Sequence, residues 1–336
     1  MAALELTIET RTLALAEPFK IAGYVFDTTP IVVVTLDDGA HTGRGEAAGV
    51  FFLKEDVPAM VAAIEAERPR IEAGPTRDVL RTILPPGGAR NAVDSALWEL
   101  GAVRTGRPVW QLAGLGNPPR ALRTTFTLGA DTPERMAQKA RDHAQARSIK
   151  IKLTGDLELD IARVAAIRAA RPGTWLGVDG NQGFRKAQLE PLVGALVDAE
   201  VSLLEQPLPR DRDADLEGFA SPIPLAGDES VLSLPDVARA KGRFDVINIK
   251  LDKCGGLTEG LLMVAEARRL DLGVMVGTMV GSSLATAPGF VLGQFCDLVD
   301  LDGPTFLACD HVPSVVYDDG MLWAGAEVWG SPESVR

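Results

Sequence analysis

The chain has 336 residues, with 46% hydrophobic and 24% charged residues and a net charge of −12. Such a length carries two domains and a large core. The acidic balance argues against nucleic acid or an anionic membrane as the main partner, and no apolar run reaches the ~18 residues of a transmembrane helix.

The N-terminus, Met1-Ala2-Ala3-Leu4-Glu5-Leu6, lacks the basic region and long apolar core of a secretory signal. Cys254, Cys296 and Cys309 are scattered and odd in number. They fit reduced thiols without metal-type spacing, so a cytoplasmic location is expected.

Residues 4 to 48 read as β structure. Leu4 to Leu13 alternates roughly, Ile31 to Leu36 is strongly strand-forming, and Asp37-Asp38-Gly39-Ala40 carries the Asp-Gly hairpin signal. Thr42 to Ala48 is the returning strand. Residues 56 to 72 and 89 to 103 read as helices, the second with Ala89, Val93, Ala96, Leu97 and Leu100 on one face. A meander followed by helices is an α+β unit, and residues 1–118 are assigned to it.

From about residue 121 strands and helices alternate. Thr124–Leu128, Ser148–Lys152, Trp175–Asp179, Ser202–Glu205, Leu225–Asp228, Val246–Lys250, Val274–Val276 and Cys296–Asp300 are eight candidate strands. Most are separated by helical stretches such as Pro133–Ala146, Asp160–Ala170 and Thr258–Leu270. Eight βα units, or seven and an irregular one, predict an α/β fold, a modified TIM (β/α) barrel over residues 119–310. An open doubly wound sheet is the alternative, disfavoured by the steady period and the lack of a Gly-rich phosphate loop. The segment 311–336 is expected to return to the first domain as β structure.

Polar residues close these strands at even intervals: Lys152, Asp179, Glu205, Asp228 and Lys250 follow one another by 27, 26, 23 and 22 residues. In a parallel barrel such strand ends converge on one mouth. Three carboxylates without nearby His or Cys select a hard cation, Mg²⁺ first and Mn²⁺ second. The competing reading, that each acid caps the following helix, covers one such residue better than three in succession. Lys150 and Lys152 share a strand face and point inward. Their mutual repulsion lowers a lysine pKa, and the neighbouring acids oppose it. Lys250, four strands further on, faces Lys152 across the mouth. Two lysines on opposite faces of a carbon acid suit racemisation or epimerisation, a 1,1-proton transfer.

These residues together resemble the enolase superfamily, muconate-lactonizing subgroup, whose members use a Lys or His base with Mg²⁺. The resemblance extends to Gly43-Arg44-Gly45-Glu46-Ala47 and to Ala89 through Trp98, which look like the superfamily's N-terminal capping domain. Val299-Asp300-Leu301-Asp302-Gly303-Pro304 resembles the Asp-x-Asp of the dipeptide epimerases. Asn248 to Glu259 and Gly277 to Ser283 resemble the L-Ala-D/L-Glu epimerase branch.

The resemblance implies a Mg²⁺-dependent dipeptide epimerase inverting the C-terminal residue of its substrate. It implies Asp179, Glu205 and Asp228 as metal ligands, Lys152 and Lys250 as acid/base catalysts, and Lys150 as a supporting, substrate-facing lysine. Asp300 and Asp302 would anchor the dipeptide's ammonium, and Thr127 would contact substrate. It further implies a role in peptidoglycan-peptide recycling and a symmetric homo-oligomer.

One position departs from the pattern: Gly23, after Pro18-Phe19, stands where some L-Ala-D/L-Glu epimerases carry an Arg for the substrate's side-chain carboxylate. Lys20 or Lys54 is a substitute, whereas the apolar Val50-Phe51-Phe52-Leu53 favours an uncharged side chain. The alternatives are another reaction on this scaffold (N-acylamino acid racemisation or cycloisomerisation) and a non-catalytic acidic binding protein.

Overall fold

The computed structural model describes residues 3–333. The first domain opens with an antiparallel sheet of β1 (Glu5–Ile21), β2 (Tyr24–Asp37) and β3 (Thr42–Ala47). Five helices follow: α1 (Val57–Ala66), α2 (Arg68–Glu72), α3 (Arg77–Ile83), α4 (Gly88–Thr105) and α5 (Val109–Leu112). The β1–β2 hairpin is far longer than the alternation of residues 4–13 indicates, and its register shifts between Ala14 and Phe19. Gly23 sits at its tip with φ +76°.

Strand β2 joins the two domains by its two-residue period. Val32, Val34 and Leu36 pack with Ala92, Val93, Ala96 and Leu100 of α4 in one cluster. Ile31 and Val33, on the opposite face, belong with Trp98 to the barrel core. Gly43 and Gly45 of β3 lie directly against the α4 backbone, where a Cβ would collide with the Ala96 and Ala92 carbonyls. Their lack of a side chain lets helix and sheet approach this closely.

A short strand, β4 (Leu122–Arg123), precedes the barrel strands β5 (Phe126–Leu128), β6 (Ser148–Lys152), β7 (Trp175–Asp179), β8 (Leu203–Glu205), β9 (Leu225–Gly227), β10 (Val246–Lys250), β11 (Gly273–Gly277) and β12 (Leu298–Asp300). The eight are parallel and paired in chain order. Thr125 N–H donates to the Val299 carbonyl at 3.1 Å, and Leu301 N–H to Thr124 Oγ1 at 3.0 Å. These bonds draw the two edges together into a nearly closed barrel.

The outer helices are α6 (Pro133–Asp142), α7 (Leu157–Ala170), α8 (Lys186–Asp198), α9 (Leu234–Ala240), α10 (Leu251–Cys254), α11 (Leu257–Arg269) and α12 (Ser283–Gly293). The irregular units follow β8 and β12, where 3₁₀ turns stand in for α-helices.

In the tail, β13 (Val316–Asp318) and β14 (Met321–Trp323) form a hairpin that pairs with β4, not with the capping sheet as expected. Contact with the first domain comes later, through Trp329 Nε1 donating to the Arg44 carbonyl at 3.0 Å and Arg44 Nη2 donating to the Val328 carbonyl at 3.1 Å. Among the described residues no helix is long and apolar enough to cross a membrane.

Candidate functional site

Strand register alone assembles the site. Lys152 on β6 lies opposite Asp179 on β7, and Asp179 opposite Glu205 on β8. Asp228 follows the last residue of β9, and Lys250 ends β10 beside Gly277. A side chain at Gly277 would meet Asn248 and the Lys250 stem, so the glycine keeps room for that lysine.

Carboxylate oxygens of Asp179, Glu205 and Asp228 all lie within 4.8 Å of one another, and all three residues are buried. Lys150 Nζ sits 3.1 Å from Asp179, 2.8 Å from Glu205 and 2.8 Å from Asp300. Lys152 Nζ is 2.7 Å from Asp179 Oδ2, on one side of the carboxylates. Lys250 Nζ is 2.7 Å from Asp228 Oδ2, on the other.

Four residues of this cluster carried no separate expectation from sequence. Lys253, its side chain fully enclosed, donates to Asp228 Oδ1 at 2.5 Å, to the Asp228 carbonyl at 2.5 Å and to the Asn248 carbonyl at 3.0 Å. Asn248 Nδ2 donates to Glu205 at 2.9 Å. Asn181 Nδ2 donates to the buried Glu229 at 3.4 Å. The signals were the motifs themselves, since Asn248 alternates with Lys250 on β10 and Glu229 adjoins Asp228. Lys253 lies on a four-residue helical turn whose inward face has no period to betray it.

The electrostatics fit a divalent cation. Buried in the cluster are six carboxyl groups (Asp179, Glu205, Asp228, Glu229, Asp300 and Asp302) and four lysines (150, 152, 250 and 253), an excess of two negative charges. A single divalent cation would balance it, and the all-oxygen donor set suits Mg²⁺. Burial, with Asp179 as the nearest like charge, pushes the Glu205 carboxyl up to about 7. Burial and Asp228 push Glu229 up to about 8.

Asp179 is held down at about 2, because Lys152 and Lys150 outweigh its burial. Burial alone would lower Lys150 and Lys250, but surrounding carboxylates, Asp300 foremost for Lys150 and Asp228 for Lys250, hold both above the ordinary lysine range. The carboxylates therefore outweigh the Lys150–Lys152 repulsion at Lys150.

Their i, i+2 spacing would put Asp300 and Asp302 on one face of a continuous strand, but the strand does not continue. Asp300 ends β12, whereas Asp302 lies beyond it and begins the 3₁₀ turn Gly303–Phe306. Both carboxylates are buried and engaged within the protein, Asp300 by Lys150 and the Thr125 hydroxyl, Asp302 by Thr127 N–H at 2.6 Å. Thr127 thus supports Asp302 and lines a neighbouring cavity. The reaction cavity is about 390 Å³, floored by Lys152, Asn181, Asp228, Glu229 and Lys250 and roofed by Phe19, Ile21, Phe26, Phe51 and Phe52 of the first domain.

Two family profiles match the chain: "Mandelate racemase / muconate lactonizing enzyme, N-terminal domain" over residues 3–114 and "Enolase C-terminal domain-like" over residues 134–321. The chain is 38% identical to the L-Ala-D/L-Glu epimerase of Escherichia coli (strain K12), covering 91% of this chain and 95% of that protein. Among solved structures, an enolase family member from Agrobacterium tumefaciens with homology to dipeptide epimerases, holding sodium and L-Ala-L-Glu, superposes with a TM-score of 0.93. It is 40% identical and covers 97% of this chain and 100% of that one. A dipeptide epimerase from Enterococcus faecalis V583, complexed with Mg and L-Leu-L-Tyr, gives a TM-score of 0.91 at 27% identity, over 100% of both chains.

Proposed function

The chain belongs to the enolase superfamily, with both domains of its mandelate racemase/muconate lactonizing enzyme branch, and from that premise we propose that it is a Mg²⁺-dependent dipeptide epimerase. The observation that carries the reading is a carboxylate triad on three adjacent strands, flanked by Lys152 on one side and Lys250 on the other. Relatives named as dipeptide epimerases, holding Mg or a dipeptide, support it.

Asp179, Glu205 and Asp228 would hold the cation. When bound, it neutralises negative charge that builds on the substrate's carboxylate as the α-proton leaves. Lys152 or Lys250, as the neutral amine, takes that proton from one face, and the C–H electron pair delocalises into the carboxylate. The opposite lysine, as the ammonium, returns a proton to the other face, and the pair re-forms a C–H bond with inverted configuration. No net atom or electron is gained.

The carboxylates that raise Lys250 are those whose charge the cation would share, which favours its neutral form. Lys150, between Asp179, Glu205 and Asp300, stays charged and would stabilise the same developing anion. Asp300 and Asp302, at the last strand end, would hold the dipeptide's ammonium, with Thr127 fixing Asp302. The three cysteines are free, in keeping with a cytoplasmic enzyme serving turnover of cell-wall peptides.

The test is proton exchange in D₂O with Mg²⁺, read by mass spectrometry and by chiral separation of the dipeptide. The wild type should gain one deuteron at the C-terminal residue and invert it. Lys152→Ala and Lys250→Ala should each abolish inversion while retaining exchange from one epimer, a different epimer in each. Near-normal inversion in either variant would sink the two-lysine assignment.

A further inference from the structure

We propose that Asp160 is a positioning residue for Lys152, acting through the loop that follows the lysine, and so governs proton transfer on one face of the substrate alone. The proposal rests on the dipeptide epimerase reading above and assigns the support of one of its two lysines.

Asp160 lies near the start of α7 and is fully buried. It does not cap that helix: Asp156 does, accepting Leu159 N–H at 3.2 Å. The Asp160 carboxylate turns back onto the loop between Lys152 and the helix. Its Oδ2 accepts Gly155 N–H at 2.8 Å and Thr154 N–H at 3.1 Å, and its Oδ1 accepts the Thr154 hydroxyl at 3.2 Å. Arg163, also buried, supplies the countercharge, its Nη1 donating to Asp160 Oδ1 at 2.6 Å and to Thr154 Oγ1 at 2.8 Å. A buried ion pair carries a large desolvation cost, and apolar residues would fix the helix at a lower one. Its placement around Thr154 points to the loop as the part it serves.

That loop is tied to Lys152 at close range. Leu153 alone separates Lys152 from Thr154, and it is fully buried, with its N–H donating to the Asp179 carbonyl at 3.0 Å. Gly155 has φ +88°, and a Cβ there would run into the Gly183 carbonyl, in the loop after β7. Arg163 Nε donates to the Asp131 carbonyl at 2.7 Å, in the loop after β5. The backbone on the carboxyl side of Lys152 is therefore held between two neighbouring loops and α7, while its Nζ stands 2.7 Å from Asp179.

Lys250 is mounted separately. It leads into a turn whose Cys254 and Gly255 carbonyls accept from Arg90 of the first domain. Among the described residues, every hydrogen-bond partner of the Asp160 and Arg163 side chains lies between residues 131 and 163. Loosening Asp160 therefore displaces Lys152 and leaves Lys250 in place. A displacement of ~1 Å at a reacting group costs about a hundredfold in rate, and here the cost falls on the epimer whose α-proton Lys152 removes.

Initial rates of deuterium uptake at the α-carbon of L-Ala-L-Glu and of L-Ala-D-Glu, in D₂O with Mg²⁺, report the two faces separately. Lys152→Ala identifies the epimer that Lys152 serves. Asp160→Asn should slow exchange of that epimer by about tenfold or more, leave the other within about twofold of wild type, and lower inversion in both directions. Thr154→Val removes only the hydroxyl's contacts, at an exposed position. It should show the same asymmetry at about threefold, and it decides the matter if Asp160→Asn does not fold. Equal slowing of both epimers, slowing of the other epimer alone, or wild-type rates for both overturns the proposal and leaves the epimerase reading standing. Absence of α-proton exchange on every dipeptide, with Mg²⁺ bound, overturns both.

Discussion

Glu46 offers a quantitative test of how the two domains are joined. It sits on β3 with 3% of its surface exposed and accepts the Ser282 N–H at 2.7 Å and the Ser282 hydroxyl, at the start of α12. Burial, helped by the Asp252 and Asp310 charges and opposed by Ser282, raises its carboxyl from 4.5 to about 7. In the unfolded chain the group ionises at its ordinary value. Between these limits the folded state keeps a proton that the unfolded state has lost, so stability falls as pH rises through the window. The rise from 4.5 to about 7 corresponds to about 3 kcal/mol.

Glu46→Gln cannot ionise and should remove that share. Urea unfolding of both proteins at pH 4 and pH 8, with chelator present so that the metal cluster titrates alike, measures the difference. From the lower to the higher pH the balance should move by about 3 kcal/mol in favour of the variant. A difference that stays constant across the range refutes the buried-acid account of this contact.

Two further perturbations address the turn that follows Lys250. Gly255 has φ +82°, and a Cβ there would enter the Arg90 guanidinium; Gly255→Ala should cost at least about 1–3 kcal/mol in chemical denaturation and lower kcat, and unchanged values for both would dismiss the fit described. Lys253→Met would strip Asp228 of a fully buried partner and should destabilise by about 3–5 kcal/mol, whereas a loss below about 1 kcal/mol would mean that Lys250 alone suffices to hold that carboxylate.

The barrel was legible because its period is rigid. Ser148–Lys152, Trp175–Asp179 and Val246–Lys250 were bounded to the residue, since short apolar runs ended by a polar residue leave little choice of limits. The alternation that put Lys150 and Lys152 on one face also held, both meeting Asp179. What failed were readings that needed geometry beyond the strand. The two-residue spacing of Asp300 and Asp302 suggests one strand face, but the strand ends between them. Helix α3 was not foreseen, although Thr76 caps it through Val79 N–H. The tail hairpin found β4, a partner almost two hundred residues away, and nothing local in either segment announces that pairing.

The least legible feature is how unequally the two lysines are mounted. Lys152 ends a barrel strand and continues into a loop, with Leu153 N–H bonded back to the Asp179 carbonyl at 3.0 Å. Lys250 runs straight into a turn that the capping domain grips from several directions. Arg90 of α4 donates to the Cys254 carbonyl at 2.5 Å and to the Gly255 carbonyl at 3.1 Å. Asp94, also of α4, accepts from Thr258 N–H at 3.0 Å. Asp252 accepts Ala48 N–H at 3.0 Å. Gly255 and Gly256, both at positive φ, make room for Arg90 and Asp94. The domain that roofs the cavity is therefore bonded to the backbone beside Lys250 and, through Lys253 on the same turn, to Asp228. A sequence shows these residues only as two motifs more than 150 positions apart. Folding makes them one support, so that a change on the α4 face of the capping domain reaches Lys250 and Asp228 through the turn that links them.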